Sequence, residues 1–297
     1  MSPTSRARLM MIASMAVFGT LGPFVRYIPL SSGELALARA VMAAGLIGIY
    51  LLLRGQRPAL GNLRTSLPLL FLSGGAIGIN WIFLFEAYRY TTVSSATLSY
   101  YFAPVLVTLL CPLLFREKTS GRSWLCFAMS TLGIVLITVS GETASGEQHL
   151  IGILFGLGAA VFYASVILLN KYIRGIDGIQ RTFFQFLAAI IVLIPYICLT
   201  ERTGIASMDS RGWICLLVIG FVHTGITYCL YFSAIRKLAG RQTAMLSYID
   251  PLVAVIVSIT LLHEEMTLVQ IIGGALILGF TLLSELPPRK SSEGENI

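Results

Sequence analysis

Apolar residues run along this chain in long blocks, each broken by a short link that carries the charges. Ten blocks stand out, at about 9–28, 34–53, 67–88, 93–115, 123–140, 150–170, 182–200, 212–234, 242–262 and 267–285. An α-helix rises 1.5 Å per residue, so roughly 20 apolar residues cross the hydrocarbon core of a bilayer. Each block is predicted to be a membrane-spanning helix, and none of the links has room for a separate domain. Arg6 and Arg8 precede the first block, as in a signal peptide. No small-x-small cleavage pattern follows at a suitable distance, so this block is expected to stay in place as the first helix.

Composition narrows the class. The chain is 56% hydrophobic and 12% charged, with mean hydropathy +0.82, whereas soluble domains carry roughly 25% charged residues. A soluble core could not absorb this much apolar surface, so the fold class is an all-α polytopic membrane protein. The net charge of +7 reads as basic residues in cytoplasmic loops, not as a nucleic-acid surface. Cys111, Cys126, Cys198, Cys215 and Cys229 lie in apolar runs without C-x-x-C spacing, which makes them packing residues. No Walker A pattern occurs, so nucleotide hydrolysis by this chain is not expected. His263-Glu264-Glu265 is no zinc motif, because Thr267 stands where H-E-x-x-H needs its second His. No cofactor or metal is expected.

The distribution of charge sets an orientation. Sixteen Lys and Arg fall on one side: Arg6, Arg8, Arg54, Arg57, Arg64, Arg116, Lys118, Arg122, Lys171, Arg174, Arg181, Arg236, Lys237, Arg241, Arg289 and Lys290. Four fall on the other, Arg26, Arg89, Arg202 and Arg211, and Arg39 lies inside the second block. The positive-inside rule then predicts both termini in the cytoplasm, which requires an even number of helices.

The second half of the chain also repeats the first at an offset of 147 residues. Between windows 78–117 and 225–264 there are 9 identities in 40 ungapped positions. Apolar segments match cheaply, so the weight comes from Arg89 on Arg236, Tyr101-x-x-Pro104 on Tyr248-x-x-Pro251, and Glu117 on Glu264. Residues 1–146 would hold helices 1–5, and residues 147–297 helices 6–10 with a short cytoplasmic tail. Like halves with five helices each must insert in opposite senses. Inverted repeats of this kind build many secondary transporters.

The repeat singles out candidate residues. Pro104 and Pro251 are placed mid-helix, where each frees the carbonyl four residues earlier, at Tyr100 and Ser247. One reading is a simple kink; the other is a pair of hinges bordering a substrate site. Asn80-Trp81 matches Thr227-Tyr228, two polar–aromatic pairs expected to face one central cavity. His223 lies one turn before Thr227 and is either a titrating cavity residue or an interhelical hydrogen-bond partner. Tyr100, Tyr101, Tyr163 and Tyr248 add hydroxyls on aromatic walls, which suit organic solutes better than bare ions.

Three ionisable residues complete the set. Asp250 directly precedes Pro251, and a carboxylate at that depth must face protein or water. It is read either as a proton-coupling or cation-binding site, or as a structural partner for Ser, Tyr or Arg. Arg39 either snorkels to the outer interface or points inward to a carboxylate, with Glu86 and Asp250 as candidates. Glu86 stands three residues before Arg89, a spacing that permits a structural ion pair. Gly74-x-x-x-Gly78 and Gly152-x-x-x-Gly156 are read as internal helix-packing sites.

These residues resemble a known family. The stretch Ala87-Tyr-Arg-Tyr-Thr-Thr-Val-Ser-Ser-Ala, then Tyr101-Phe-Ala-Pro104, then Leu114-Phe-Arg-Glu117, is similar to the EamA repeat of the drug/metabolite transporter superfamily. A second copy reads Ala234-Ile-Arg-Lys-Leu, Tyr248-Ile-Asp-Pro251 and Leu261-Leu-His-Glu264. Phe18-Gly19 stands where the family commonly has Trp-Gly, and Arg39 where it commonly has an Arg in helix 2. The resemblance covers nearly the whole chain. It implies ten helices in two inverted halves, a cavity formed by helices 1–4 and 6–9, and peripheral helices 5 and 10.

It also implies export of amino acids, amines, nucleosides or other metabolites, without naming one. The expectation is a secondary-active exporter in the cell inner membrane, of amino acids or related solutes. Its partners would be the small-molecule substrate, the lipid bilayer and, as a candidate coupling ion, protons. Whether the chain acts as a monomer or dimer is left open. A facilitative channel is the alternative. A membrane-embedded enzyme is disfavoured, because neither D-D-x-x-D nor H-E-x-x-H occurs.

Overall fold

The computed structural model describes residues 3–55, 60–115, 121–140, 146–173, 175–200, 204, 208–235, 237–238, 243 and 246–285, and the regular structure among them is entirely helical. Glu117 and Arg236 of the repeat, and several of the counted loop charges (Arg57, Arg116, Lys118, Arg174, Arg202, Arg241, Arg289, Lys290), lie outside the described residues.

The helices are α1 (Pro3–Gly19), α2 (Leu21–Arg26), α3 (Ser32–Leu53), α4 (Leu60–Tyr90), α5 (Val93–Tyr100), α6 (Ala103–Phe115), α7 (Gly121–Ser140), α8 (Gly146–Tyr172) and α9 (Gly178–Thr200). Then come α10 (Ser210–Leu217), a π-helical segment (Val218–Ile226), α11 (Thr227–Ile235), α12 (Ile249–Leu261) and α13 (Leu268–Glu285). Among the described residues, seven helical stretches are long and apolar enough to cross a membrane: Thr4–Arg26, Ser32–Leu53, Leu63–Tyr90, Gly121–Ser140, Glu147–Tyr172, Gly178–Leu199 and Ser210–Ile235. Three shorter apolar helices, Val93–Val107, Ile249–Leu261 and Leu268–Ser284, fall where the remaining blocks were expected.

Local chemistry explains where the helices start. Ser31 caps α3 in a capping box: its hydroxyl accepts from Glu34 N at 3.1 Å, and the Glu34 carboxylate accepts from Ser31 N at 3.1 Å. Thr92 and Asp209 cap α5 and α10 more simply, each side chain accepting from one backbone N–H, of Ser95 and Gly212. The first block is broken at Thr20, where Pro23 has no N–H for the Gly19 carbonyl.

The fourth block is broken as well, so the mid-helix placement of Pro104 needs correcting. α5 ends at Tyr100, Tyr101 and Phe102 form a turn, and Pro104 is the second residue of α6. Pro251 is likewise the third residue of α12. Both therefore sit in a first turn, where the missing N–H has no intrahelical partner to lose. Proline alone does not impose such a break, since Pro68 and Pro195 are carried inside α4 and α9.

Packing crosses between the two halves of the chain. α1 packs against α11 and α12, α3 against α9 and the π segment, and α4 against α8 and α9. α5 packs against α8 and α12, and α7 against α13. Close approach is achieved with glycine. A Cβ on Gly133 would lie 2.5 Å from the Gly273 carbonyl oxygen, and one on Gly273 would lie 2.6 Å from that of Gly133. Gly74 and Gly78 abut α9, and Gly152 and Gly156 abut the Thr91–Ser99 stretch, so both GxxxG pairs are internal packing sites.

The outside of the bundle is apolar: Leu52, Leu53, Leu154, Leu199, Ile256 and Leu268 are all exposed. Such a continuous apolar exterior belongs in lipid. The four cysteines whose side chains are described are free.

Candidate functional site

Two adjoining cavities occupy the middle of the bundle. The larger, of about 790 Å³, is bordered by α1 to α6, α8, α11 and the start of α12. The smaller, of about 390 Å³, lies between α4, α8, α9 and α11. They share one wall, built from Trp81, Tyr100, Tyr163, Ile167, Tyr228, Tyr231 and Ile235. Neither α7 nor α13 contributes a lining residue, which agrees with the peripheral placement implied by the family resemblance.

Arg39 points inward rather than snorkelling. It is 4% exposed and lines the larger cavity. Its Nε donates to Thr224 Oγ1 at 2.6 Å, and its guanidinium lies over the Trp81 ring at 4.5 Å from the centroid. The π segment makes this contact possible. Its wider turn lets Thr224 donate to the Ile219 carbonyl five residues back, at 2.9 Å, while presenting its oxygen to Arg39. Gly220 keeps the segment close to α3, because a Cβ there would meet Met42 Cε at 2.2 Å.

Asp250 faces the same cavity from the start of α12 and accepts a hydrogen bond from the Tyr101 hydroxyl. Its backbone is set by Gly19, where a Cβ would lie 2.5 Å from the Asp250 carbonyl oxygen. Among the described residues, no carboxylate lies within 4 Å of Arg39. The Arg39 guanidinium and the Asp250 carboxyl group therefore border one cavity without direct contact, with aromatic rings between them. Phe18 and Tyr228 pack edge to face at 5.2 Å, and Tyr100 and Tyr163 lie 5.2 Å apart.

The other candidates divide. Tyr248 and Pro104 line the larger cavity, and Asn80 lines the smaller, donating from Nδ2 to the Ala159 carbonyl at 2.6 Å. Of the matched polar–aromatic pairs, Trp81 and Tyr228 face both cavities. Thr227 instead turns onto its own helix and donates to the Val222 carbonyl at 2.7 Å. His223 borders neither cavity: its Nε2 lies 3.0 Å from Thr20 Oγ1 and its ring meets Phe24 edge to face. Glu86 forms the i,i+3 pair with Arg89 at 3.1 Å and also lines neither cavity. Pro251 is buried in the first turn of α12 beside Asp250.

Sequence reasoning passed over Tyr88, Thr97, Thr224 and Tyr231, whose types are unremarkable in apolar helices. It also counted Arg181 only as a loop charge, although this residue lines the smaller cavity. Among the described residues, no three His, Cys, Asp or Glu side chains gather as a metal site.

At one end of the bundle, a second polar cluster surrounds Glu264. His263 adopts φ 53°, unusual for a non-glycine residue, and the turn aims the Glu264 carboxylate back into the protein. There it accepts from Val93 N at 3.0 Å, Ser94 N at 3.4 Å, and the hydroxyls of Ser94 and Ser258. It also pairs with Arg26. Arg211 stacks over Tyr27, the residue after Arg26, at 3.6 Å from the ring centroid. The links counted as outer by charge therefore come together at one end.

Comparison with known proteins agrees with this architecture. The EamA-like transporter family matches twice, over residues 5–139 and 150–285. The uncharacterised transporter YxxF of Bacillus subtilis (strain 168) is 31% identical over 274 residues, covering 92% of this chain and 87% of the relative. The uncharacterised inner membrane transporter YicL of Salmonella typhimurium (strain LT2) is 23% identical over 302 residues, 98% of each chain. A crystal structure described only as that of a protein shares the fold with TM-score 0.66 at 17% identity, covering 94% of this chain and 97% of the other. With a duplicated family domain spanning its apolar helices, this chain belongs to the EamA-like transporter family and is a multi-pass membrane protein.

Proposed function

We propose that the chain is a secondary-active exporter of small organic metabolites, amino acids foremost, working by alternating access in the cell inner membrane. The observation that carries this reading is the pairing of Arg39 with Asp250 across one aromatic cavity. An amino acid is a zwitterion. Its carboxylate suits the guanidinium, whose planar fork binds carboxylates in two-point fashion, and its ammonium suits Asp250. Aromatic walls suit the carbon skeleton. An amine would leave Arg39 without a charged partner, and an uncharged nucleoside would offer one to neither group.

The helix-packing pattern supports ten crossings in two inverted halves, residues 1–146 and 147–297. Exchanging the first five expected spans with the last five maps the main interhalf packings onto one another or onto themselves. The packing of α1 with α11 and α12 becomes that of α8 with α4 and with α5 and α6; α3 with α9 and α7 with α13 map onto themselves. Charge counting supports cytoplasmic termini. The Glu264 cluster would then close the outer end, while the larger cavity reaches Leu238 and Thr243 towards the inner one. We read this as an inward-facing form, with Pro104 and Pro251 as the paired hinges. Asp250 is the preferred coupling residue, since His223 is engaged by Thr20 outside the cavity.

The test is a thermal-shift screen of the purified protein against amino acids, amines and nucleosides, because a ligand of the folded state raises its melting temperature by mass action. Stabilisation by amino acids is expected. No shift with any amino acid at about millimolar concentration, where a useful ligand binds with at least ~4 kcal/mol, removes them as the substrate class.

A further inference from the structure

We propose that the smaller cavity is a subsite for an acidic side chain, and that the preferred substrate is an amino acid with a second carboxylate. This rests on the reading of the larger cavity as an amino-acid site.

The two cavities share a wall of rings, so a molecule held at Arg39 and Asp250 can extend a side chain past Trp81 and Tyr228 into the smaller one. What it meets there includes the Asn170 amide and the Arg181 guanidinium. Gln185 Nε2 donates to Ser73 Oγ at 2.8 Å and to Asn170 Oδ1 at 2.8 Å. With its oxygen so engaged, Asn170 keeps its NH₂ edge as the group available for a ligand. Arg181 borders the same space, half-buried on the first turn of α9. Its backbone N–H bonds the Asp177 carbonyl at 2.8 Å, and the Asp177 carboxylate acts on its charge, yet no carboxylate of the described residues lies within 4 Å of its guanidinium. A guanidinium cannot shed its charge, so it calls for an anion or water.

Charge balance leads to the same substrate. Among the described residues, the charged groups that border the joined cavities are Arg39, Arg181 and Asp250. Two guanidiniums and one carboxylate are matched by two carboxylates and one ammonium, which is the charge set of an acidic amino acid. A neutral zwitterion would leave Arg181 facing an uncharged side chain. A volume of about 390 Å³ holds a carboxyethyl group with accompanying water.

The experiment is exchange in proteoliposomes loaded with L-glutamate, comparing labelled L-glutamate with its neutral isostere L-glutamine, for wild type, Arg181→Gln and Arg181→Lys. Wild type is expected to exchange glutamate at least about tenfold more efficiently, because a site built for a charged group rejects an isostere lacking the charge. Arg181→Gln is expected to bring that ratio close to one by losing glutamate, and Arg181→Lys to restore part of it. Equal exchange of both amino acids by wild type, or a ratio unchanged in folded Arg181→Gln, overturns this inference and leaves the amino-acid exporter standing. Should Arg181→Gln not fold, the wild-type ratio alone decides. Exchange of neither amino acid by folded wild type removes both readings.

Discussion

Glu264 forms an ion pair with Arg26, 238 residues earlier in the chain, and the pair joins the end of α2 to the turn after α12. The two partners differ in exposure: the Arg26 side chain is 39% exposed and that of Glu264 only 5%. Glu264 also satisfies two backbone N–H groups at the start of α5 and the hydroxyls of Ser94 and Ser258. Removing it would orphan several buried donors at once. Glu264→Ala is expected to cost on the order of 3 kcal/mol of stability. Arg26→Ala, which removes a solvent-screened cation, should cost less than about 1 kcal/mol. Thermal unfolding of the two variants in one detergent compares them, and equal losses would contradict the central place given to Glu264.

Arg39 is held by Thr224 and by the face of Trp81, two contacts that a lysine cannot reproduce together. Arg39→Lys keeps the charge but loses the fork and the Nε–H donor. Its transport efficiency is expected to fall by about tenfold or more while the protein remains folded. Thr224→Val should give a smaller loss, since the guanidinium stays in place over the ring. Substrate titration of initial rates checks both; an Arg39→Lys protein with wild-type efficiency would exclude carboxylate recognition by this residue.

Gly19 lets α1 approach the backbone of Asp250 and the side chain of Val253. Gly19→Val forces these helices apart, because the nearest obstacle is a carbonyl oxygen that cannot rotate away. A loss of about 1–3 kcal/mol is expected from overpacking, together with weakened transport as Asp250 is displaced. Gly45, which has nothing within 4 Å of its added Cβ, is the control: Gly45→Ala should leave the melting temperature unchanged or slightly raised. Similar losses at both positions would contradict the packing assigned to Gly19.

Pro104 and Pro251 stand in the first turns of α6 and α12, so alanine there loses no hydrogen bond. Pro104→Ala and Pro251→Ala are expected to stay inserted, with stability within about 1 kcal/mol of wild type. Each restores an N–H, which lets the break close into a continuous helix and stiffens the hinge proposed there. Transport should slow in both, and unchanged rates in both would end the hinge proposal.

The apolar blocks were readable because lipid leaves a backbone little choice but helix. Arg39, Trp81, Tyr100, Tyr101, Tyr163, Tyr228, Tyr248 and Asp250 were readable as cavity residues because polar and aromatic groups inside such blocks need a reason to be there. His223, Thr227 and Glu86 satisfied the same criterion through local partners, and spacing along a helix cannot tell a cavity from a neighbouring carbonyl. The π segment escaped notice because one wide turn leaves no periodic trace in nine mostly apolar residues. Glu264 was visible only as a repeat-matched residue: what makes it a hub is the turn at His263 and the arrival of Arg26 and α5, contacts set by tertiary packing. Arg181 was hidden by its position at a helix start, where charge counting claims every cation.

The most direct measurement is counterflow in liposomes holding the purified protein, loaded with a high concentration of an unlabelled amino acid and exposed to a trace of the labelled one. Carriage by alternating access around Arg39 and Asp250 predicts transient accumulation of label above equilibrium, lost in Arg39→Ala and weakened in Asp250→Asn. Rapid equilibration with no overshoot, unaffected by either substitution, would contradict it and point to a channel.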